Sequence, residues 1–167
     1  WDNRKPTPME VWIPVAPPVQ KYLGPESSAT LSLSYTSSIC QPEAIRDGKE
    51  VLGSNKHPGD LCHFWPHKGS AEWVSYAWKE PVRISGASIY WFDDTGVGEC
   101  RLPASWRIEY LDGGVWKPVK GANYPVSMDH WDKATFEPVV TRGLRLAVQL
   151  QEGWSVGIHE WHVIEGE

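Results

Sequence analysis

The chain has 167 residues, enough for one compact domain plus a short flanking piece, with 41% hydrophobic and 22% charged residues, a balance unlike that of a disordered segment. Sixteen basic against 21 acidic residues give a net charge of −5, which argues against nucleic acid or an anionic membrane as partner and disfavours polyanionic glycans. No apolar run approaches the roughly 20 residues that span a bilayer.

Residues 1–28 (WDNRKPTPMEVWIPVAPPVQKYLGPESS) are rich in proline and hold one strand-like piece, Met9 to Val15. They read as the terminal strand of a preceding domain followed by a stiff linker, with the module proper at 29–167. The start, Trp1-Asp2-Asn3-Arg4, has neither an initiator Met nor a signal peptide and reads as a boundary inside a longer protein. From residue 29 onward short alternating runs follow one another, separated by Gly, Pro and Asp. Residues 29–37 alternate Leu31, Leu33 and Tyr35 with serines. Segments 72–78 (EWVSYAW) and 82–92 (VRISGASIYWF) are rich in aromatic and β-branched residues. Segment 105–111 places Trp106, Ile108 and Tyr110 on one face and runs into Asp112-Gly113-Gly114, a hairpin signal that predicts a return strand at 115–119. Segments 133–139, 143–150 and 155–165 complete the series, with Leu144, Leu146, Val148 and Leu150 on one face. Many short strands with frequent turns and no long helical period predict an all-β fold, an antiparallel β-sandwich of jelly-roll type.

Three cysteines, Cys40, Cys62 and Cys100, cannot all pair, so the chain is no disulfide scaffold. They are either three buried thiols or one bridge with a free thiol, and Cys40–Cys62 is the first pair to test. Eleven tryptophans are several-fold more than usual for this length. The indole face suits cores and sugar rings alike. Trp91, Trp106, Trp116 and Trp161 fall within predicted strands and are assigned to packing.

The opening WDNRKPTPMEVWIP resembles the end of the catalytic region of bacterial beta-L-arabinofuranosidases with an alpha/alpha barrel. The remainder resembles the discoidin-like, galactose-binding-like module appended to those enzymes, most specifically in YWFDD, RLPASWRIEY and GIHEWHV. This resemblance implies a non-catalytic carbohydrate-binding module of a secreted, periplasmic or cell-surface bacterial glycoside hydrolase. Its expected partners are a plant cell-wall glycan bearing arabinose or galactose, as in pectic side chains, and the parent catalytic domain. A module that packs on that domain and binds nothing is the alternative. A third reading makes an acid/base pair from Asp93, Asp94 and Glu99, but Asp93 and Asp94 are sequence neighbours and would point apart on a strand.

The resemblance also implies one structural Ca2+ ion, held by the Asp47 and Glu160 side chains and the carbonyls of Ala44, Lys49 and His159. Ser54 stands where the family often has Thr, and Lys49 where Asp or Asn is common. Calcium takes six to eight oxygens, several of them carbonyls of a tight loop, and Asp47-Gly48 supplies such a turn. The competing reading is a plain Asp-Gly turn and a glutamate paired with a base.

Sugars in this fold sit among the loops at one end. A sugar site needs an aromatic face and planar polar side chains. Loop 60–69 offers His63, Trp65 and His67; loop 93–102 offers Asp93, Asp94, Glu99 and Arg101; loop 151–156 offers Trp154; and loop 123–132 adds Tyr124, His130 and Trp131. Asp94 and Arg101 are expected to clamp hydroxyls, with Trp65 or Trp154 as the platform and His63 and Asp93 alongside. His63, His67 and Cys62 also invite a zinc reading, which Pro66 between the histidines disfavours because their four-residue spacing serves a helix.

Overall fold

The computed structural model describes residues 24–167, and within them the regular structure is almost wholly antiparallel sheet. Seven strands follow one another: β1 (Thr30–Leu33), β2 (Cys62–His63), β3 (Ala71–Phe92), β4 (Ser105–Asp112), β5 (Val115–Pro118), β6 (Asp132–Gln149) and β7 (Gly157–Glu165). Two short 3-10 turns, Pro25–Ser28 and Pro42–Arg46, precede β1 and β2.

The spatial order is β2-β7-β3-β6-β4-β5, with β1 paired to β3. Two long strands make a sandwich from this single ladder. The first half of β3 pairs with β1 and with the 143–149 half of β6; its second half pairs with β7 and with the 132–141 half of β6. Between Ala77 and Val82 the register shifts, and there Pro81, which cannot donate to a ladder, costs no sheet hydrogen bond. The sequence reads 72–78 and 82–92, and likewise 133–139 and 143–150, as separate strands. The structure joins each pair into one strand that passes from one layer to the other.

Alternation fixes which face each strand buries. Val74, Tyr76, Ile108, Leu144 and Leu146 from one layer meet Ile84, Ile89, Trp91, Ile158 and Trp161 from the other, all of them solvent-inaccessible. The Tyr76 ring stacks on Trp161 at 4.2 Å between centroids, and its hydroxyl donates to the Trp161 carbonyl at 3.0 Å. Trp91 meets Trp106 edge-on at 5.9 Å, and its indole N–H donates to the buried Asp132 carboxylate at 2.9 Å. Three of the tryptophans assigned to packing thus lie in the core. The fourth, Trp116, is half-buried on the outer face, where it and Trp73 flank the Arg145 guanidinium at 4.1 and 4.2 Å.

Most of the segment expected to be a terminal strand and linker lies outside the described residues. Within them, Pro25–Ser28 is packed into the module. Glu26 is 3% exposed; its carboxylate accepts from the Val163 amide at 3.1 Å and sits 2.9 Å from His162 Nδ1. The Trp78 indole donates to the Pro25 carbonyl at 2.8 Å.

Candidate functional site

Three of the four loops singled out in the sequence meet at one end of the sandwich. The Phe64 amide donates to the Val156 carbonyl at 3.0 Å, and Gly69 to Trp154 at 3.2 Å. Residues 99–101 run alongside 154–155 through the Ser155 amide to Glu99 and the Arg101 amide to Ser155, both at 2.9 Å. The fourth loop lies elsewhere: Asp129 exchanges hydrogen bonds with Ser54, and Trp131 packs over Tyr90 and His162 on an outer sheet face.

At this loop end a cleft of about 350 Å³ opens between Trp65 and Val97. The Trp65 indole is 37% exposed and donates to Glu99 at 3.4 Å; Glu99 also ion-pairs with Lys68. Ile39, Leu61 and Phe92 supply apolar wall. His63 lines the cleft but is only 7% exposed, with its Nδ1 shut away from solvent, and burial holds its imidazole below the usual histidine range. Asp94 also lines the cleft; its Oδ1 accepts from the Cys100 amide at 2.8 Å. A Cβ on Gly98 would fall 2.0 Å from Asp94 Oδ2, so only glycine lets the carboxylate lie there.

The other expected ligand residues are engaged differently. Asp93 is 4% exposed and spends both oxygens on the protein, accepting from the Thr95 amide and hydroxyl and from the Leu102 amide. It closes the loop and is not among the residues that line the cleft. Arg101 lies 3.6 Å from Asp94, but its guanidinium donates to the Gly98 and Cys100 carbonyls and covers the Trp154 ring at 3.7 Å. Neither Arg101 nor Trp154 lines the Trp65 cleft. Sequence reasoning missed Ile39, His57 and Val97, which carry no local pattern and converge only in three dimensions.

A second, smaller crevice brings together Ala44, Asp47, Lys49, His159 and Glu160. Ser54 is not among its lining residues: its hydroxyl accepts from the Asp129 amide at 2.8 Å and its carbonyl meets His159 Nε2 at 3.2 Å. Asp47 accepts from the Lys49 amide at 2.9 Å, the Asx turn that Gly48 completes with a φ of 66°. Glu160 is 2% exposed, and burial first, then hydrogen bonding with Asp47, push it up to about 7. Its Oε2 lies 3.2 Å from His162 Nε2 yet lacks a properly directed hydrogen bond. The Glu160 carboxylate first, and then the hydrogen-bonded Glu26, raise His162 to about 9. Two carboxylates brought together are the donor type a hard cation takes, although the Glu160 Oε2 already ion-pairs with His162. Among the described residues no cluster of three or more His, Cys, Asp or Glu has metal-binding geometry, so backbone carbonyls would have to complete the shell. His67, by contrast, is stacked on Tyr35 and bound to Glu72 at 2.6 Å, and it forms no zinc cluster with His63 and Cys62.

No protein-family profile matches the chain. Solved structures do. A module of the Streptococcus pneumoniae beta-galactosidase BgaA superposes with a TM-score of 0.67 at 16% identity, covering 85% of this chain and 94% of that one. The fold is the galactose-binding-like β-sandwich. The family 32 carbohydrate-binding module of Clostridium perfringens NanJ, solved with galactose, shares it at a TM-score of 0.59 and 17% identity, over 83% of this chain and 95% of that one. A Ruminococcus gnavus GH29 fucosidase contains the same fold at a TM-score of 0.58 and 13% identity. That match covers 84% of the chain and only 26% of the fucosidase.

Proposed function

We propose that this galactose-binding-like module is non-catalytic and holds a neutral sugar in the Trp65 cleft. The observation that carries this reading is the coincidence, in one cleft, of an exposed indole and a fixed carboxylate over an apolar wall. An indole covers the C–H face of a pyranose or furanose ring, and Asp94 suits its hydroxyls. No Lys or Arg lines the cleft, while Asp94 and Glu99 do, which favours an uncharged ligand over a uronate. The finer reading is an arabinose- or galactose-bearing side chain of a plant pectic glycan. The module would be part of a secreted bacterial glycoside hydrolase and raise its effective substrate concentration. The galactose bound to the Clostridium module supports the sugar class.

Titrating the protein with arabinan, galactan and polygalacturonate tests this directly. Binding to a neutral polymer, lost in Trp65→Ala, is the expected result; selective binding of polygalacturonate would reverse the charge argument. Turnover of chromogenic arabinosides or galactosides by the isolated chain would overturn the non-catalytic reading.

We also propose a structural Ca2+ ion between Asp47 and Glu160, with the carbonyls of Ala44, Lys49 and His159. Millimolar calcium should raise Tm by several degrees, and Glu160→Gln should abolish that rise. Equal Tm with calcium and with EDTA in the unsubstituted protein would refute it.

An outer-face patch favours a second reading, a module that docks on its parent enzyme. Trp131 is exposed there, beside a shallow depression over His162 and Ile164. A folded protein that binds no glycan but associates with the separately expressed catalytic domain would establish it.

A further inference from the structure

Two of the three cysteines lie near one another. The Gln41 amide donates to the Leu61 carbonyl at 3.0 Å, which brings residues 40–41 against 61–62. The two thiols are close enough that Cys62 holds the Cys40 thiol down and Cys40 pushes the Cys62 thiol up. Cys62 is fully buried in β2, whereas Cys40 is partly open to solvent. A disulfide spans Cα atoms about 4.4–6.8 Å apart, a separation within reach of neighbouring segments joined by a backbone hydrogen bond. Cys100 sits apart, in a separate apolar cluster with Leu61 and Phe92, and burial pushes its thiol up to about 12. It is the odd sulfur.

We propose that Cys40 and Cys62 close a disulfide in an oxidising medium, and that this bond clamps segment 41–61 onto the sandwich. That segment carries Asp47 and Glu50 of the small crevice and His57 and Leu61 of the cleft, while Ile39 stands just outside the bond. Its residues make few sheet contacts: between the 3-10 turn and β2 it holds no strand. One covalent link would therefore fix the wall of one site and the loop of the other.

The reaction needs a disulfide oxidant such as oxidised glutathione. The Cys40 thiolate attacks one sulfur of the oxidant, forming a mixed disulfide and releasing one reduced thiolate. Cys62 then loses its proton to water or buffer and attacks the Cys40 sulfur. A new S–S bond forms and the second thiolate leaves. Two electrons pass from the protein thiols to the oxidant, which departs as two thiols. The Cys40 thiol is held down at about 7 by the Cys62 hydrogen bond, which makes it the attacking group.

The test uses the full chain, incubated with oxidised or reduced glutathione, alkylated and digested with trypsin without reduction. Peptides 22–46 and 57–68 should appear cross-linked with a loss of two hydrogens, and one thiol, Cys100, should remain alkylatable. The oxidised protein should melt about 5–10 °C above the reduced one, and Cys40→Ser should abolish both the cross-link and the gain. Cys40→Ser alters a partly exposed side chain, so at about pH 6, where the Cys40 thiol is protonated both folded and unfolded, its melting temperature should match that of the reduced parent. Full alkylation of both cysteines in folded, oxidant-treated protein would overturn the bond. A cross-link to Cys100 would overturn the pairing, and equal melting of the two forms would overturn the clamp.

Discussion

Trp65 and Trp154 are both tryptophans in loops at the same end of the sandwich, yet they face different surroundings. Trp65 presents its indole to the cleft, while one face of Trp154 is already covered by Arg101 at 3.7 Å. Trp65→Ala should therefore weaken sugar binding at least tenfold with little change in Tm, since a buried aromatic contact at a binding centre is worth roughly 2 kcal/mol or more. Trp154→Ala should leave affinity within about twofold and act on loop stability instead; isothermal titration of both variants separates the two roles. A reversed ranking would move the site to the Arg101 side of the loops. Gly98→Ala supplies an independent check. Its new methyl would collide with an Asp94 carboxylate pinned by the Cys100 amide, so the carboxylate must swing away. Affinity should fall while the far-UV spectrum stays unchanged, and an unaltered affinity would remove Asp94 from the ligand-binding set.

At the scale of elements, β7 shows what side chains do where the ladder runs out. Its neighbour β2 is two residues long and pairs only with Gly157 and Ile158, so the edge beyond needs another partner. Glu26 provides it, accepting from the Val163 amide and holding His162. Glu26→Ala leaves a buried amide unpaired and His162 with Glu160 alone, and should cost about 2–4 kcal/mol in urea unfolding, whereas Glu26→Gln should recover part of that. A loss under 0.5 kcal/mol for the alanine variant would mean that solvent replaces the carboxylate there. This edge also shows where sequence reading stops. Alternation in 105–111 and 143–150 revealed strands and inward faces because a half-buried strand repeats every two residues. The continuity of β3 through Pro81 was hidden, because proline reads as a break when its position in the ladder is unknown. Glu26 looked like part of a polar linker, since nothing local marks a carboxylate that caps a strand 137 positions away. The site divides the same way. Trp65, His63 and Asp94 stood out by residue type in loops, whereas Asp93 looked equally suitable until its hydrogen bonds to Thr95 and Leu102 were visible.

Across the whole molecule these contacts join into one electrostatic chain, from Glu26 through His162 to Glu160 and Asp47, which ties the first described turn to the cation crevice. It should govern how stability responds to pH. Glu160, raised from 4.5 to about 7 chiefly by burial, keeps a proton in the folded state that the unfolded chain gives up, so its contribution falls as pH rises from 4.5 to 7. His162, raised from 6.5 to about 9 by Glu160 and Glu26, contributes stability that is complete below 6.5 and is lost as pH rises through 9. Opposing trends complicate the acid side. Burial holds His63 and His159 below 6.5, so folding gains from their neutral forms as pH climbs toward that value, and Glu72 holds its proton less tightly than usual. Above pH 7 the main opponent is the Cys40 thiol, lowered from 9.0 to about 7, whose contribution grows with pH. A Cys40→Ser background removes it. In that background without calcium, unfolding free energy should drop by on the order of 2–3 kcal/mol between pH 7 and 9.5. His162→Gln should remove most of the drop, because the glutamine cannot carry the charge that binds the two glutamates, leaving the smaller fall from the buried Cys100 thiol above pH 9. Calcium, if it sits between Asp47 and Glu160, favours the ionised glutamate and should raise stability most above pH 7, where no proton is left on Glu160 to compete. A flat profile in the Cys40→Ser protein would mean that His162 is not held charged, and the chain of contacts would then be a neutral hydrogen-bond network indifferent to the cation.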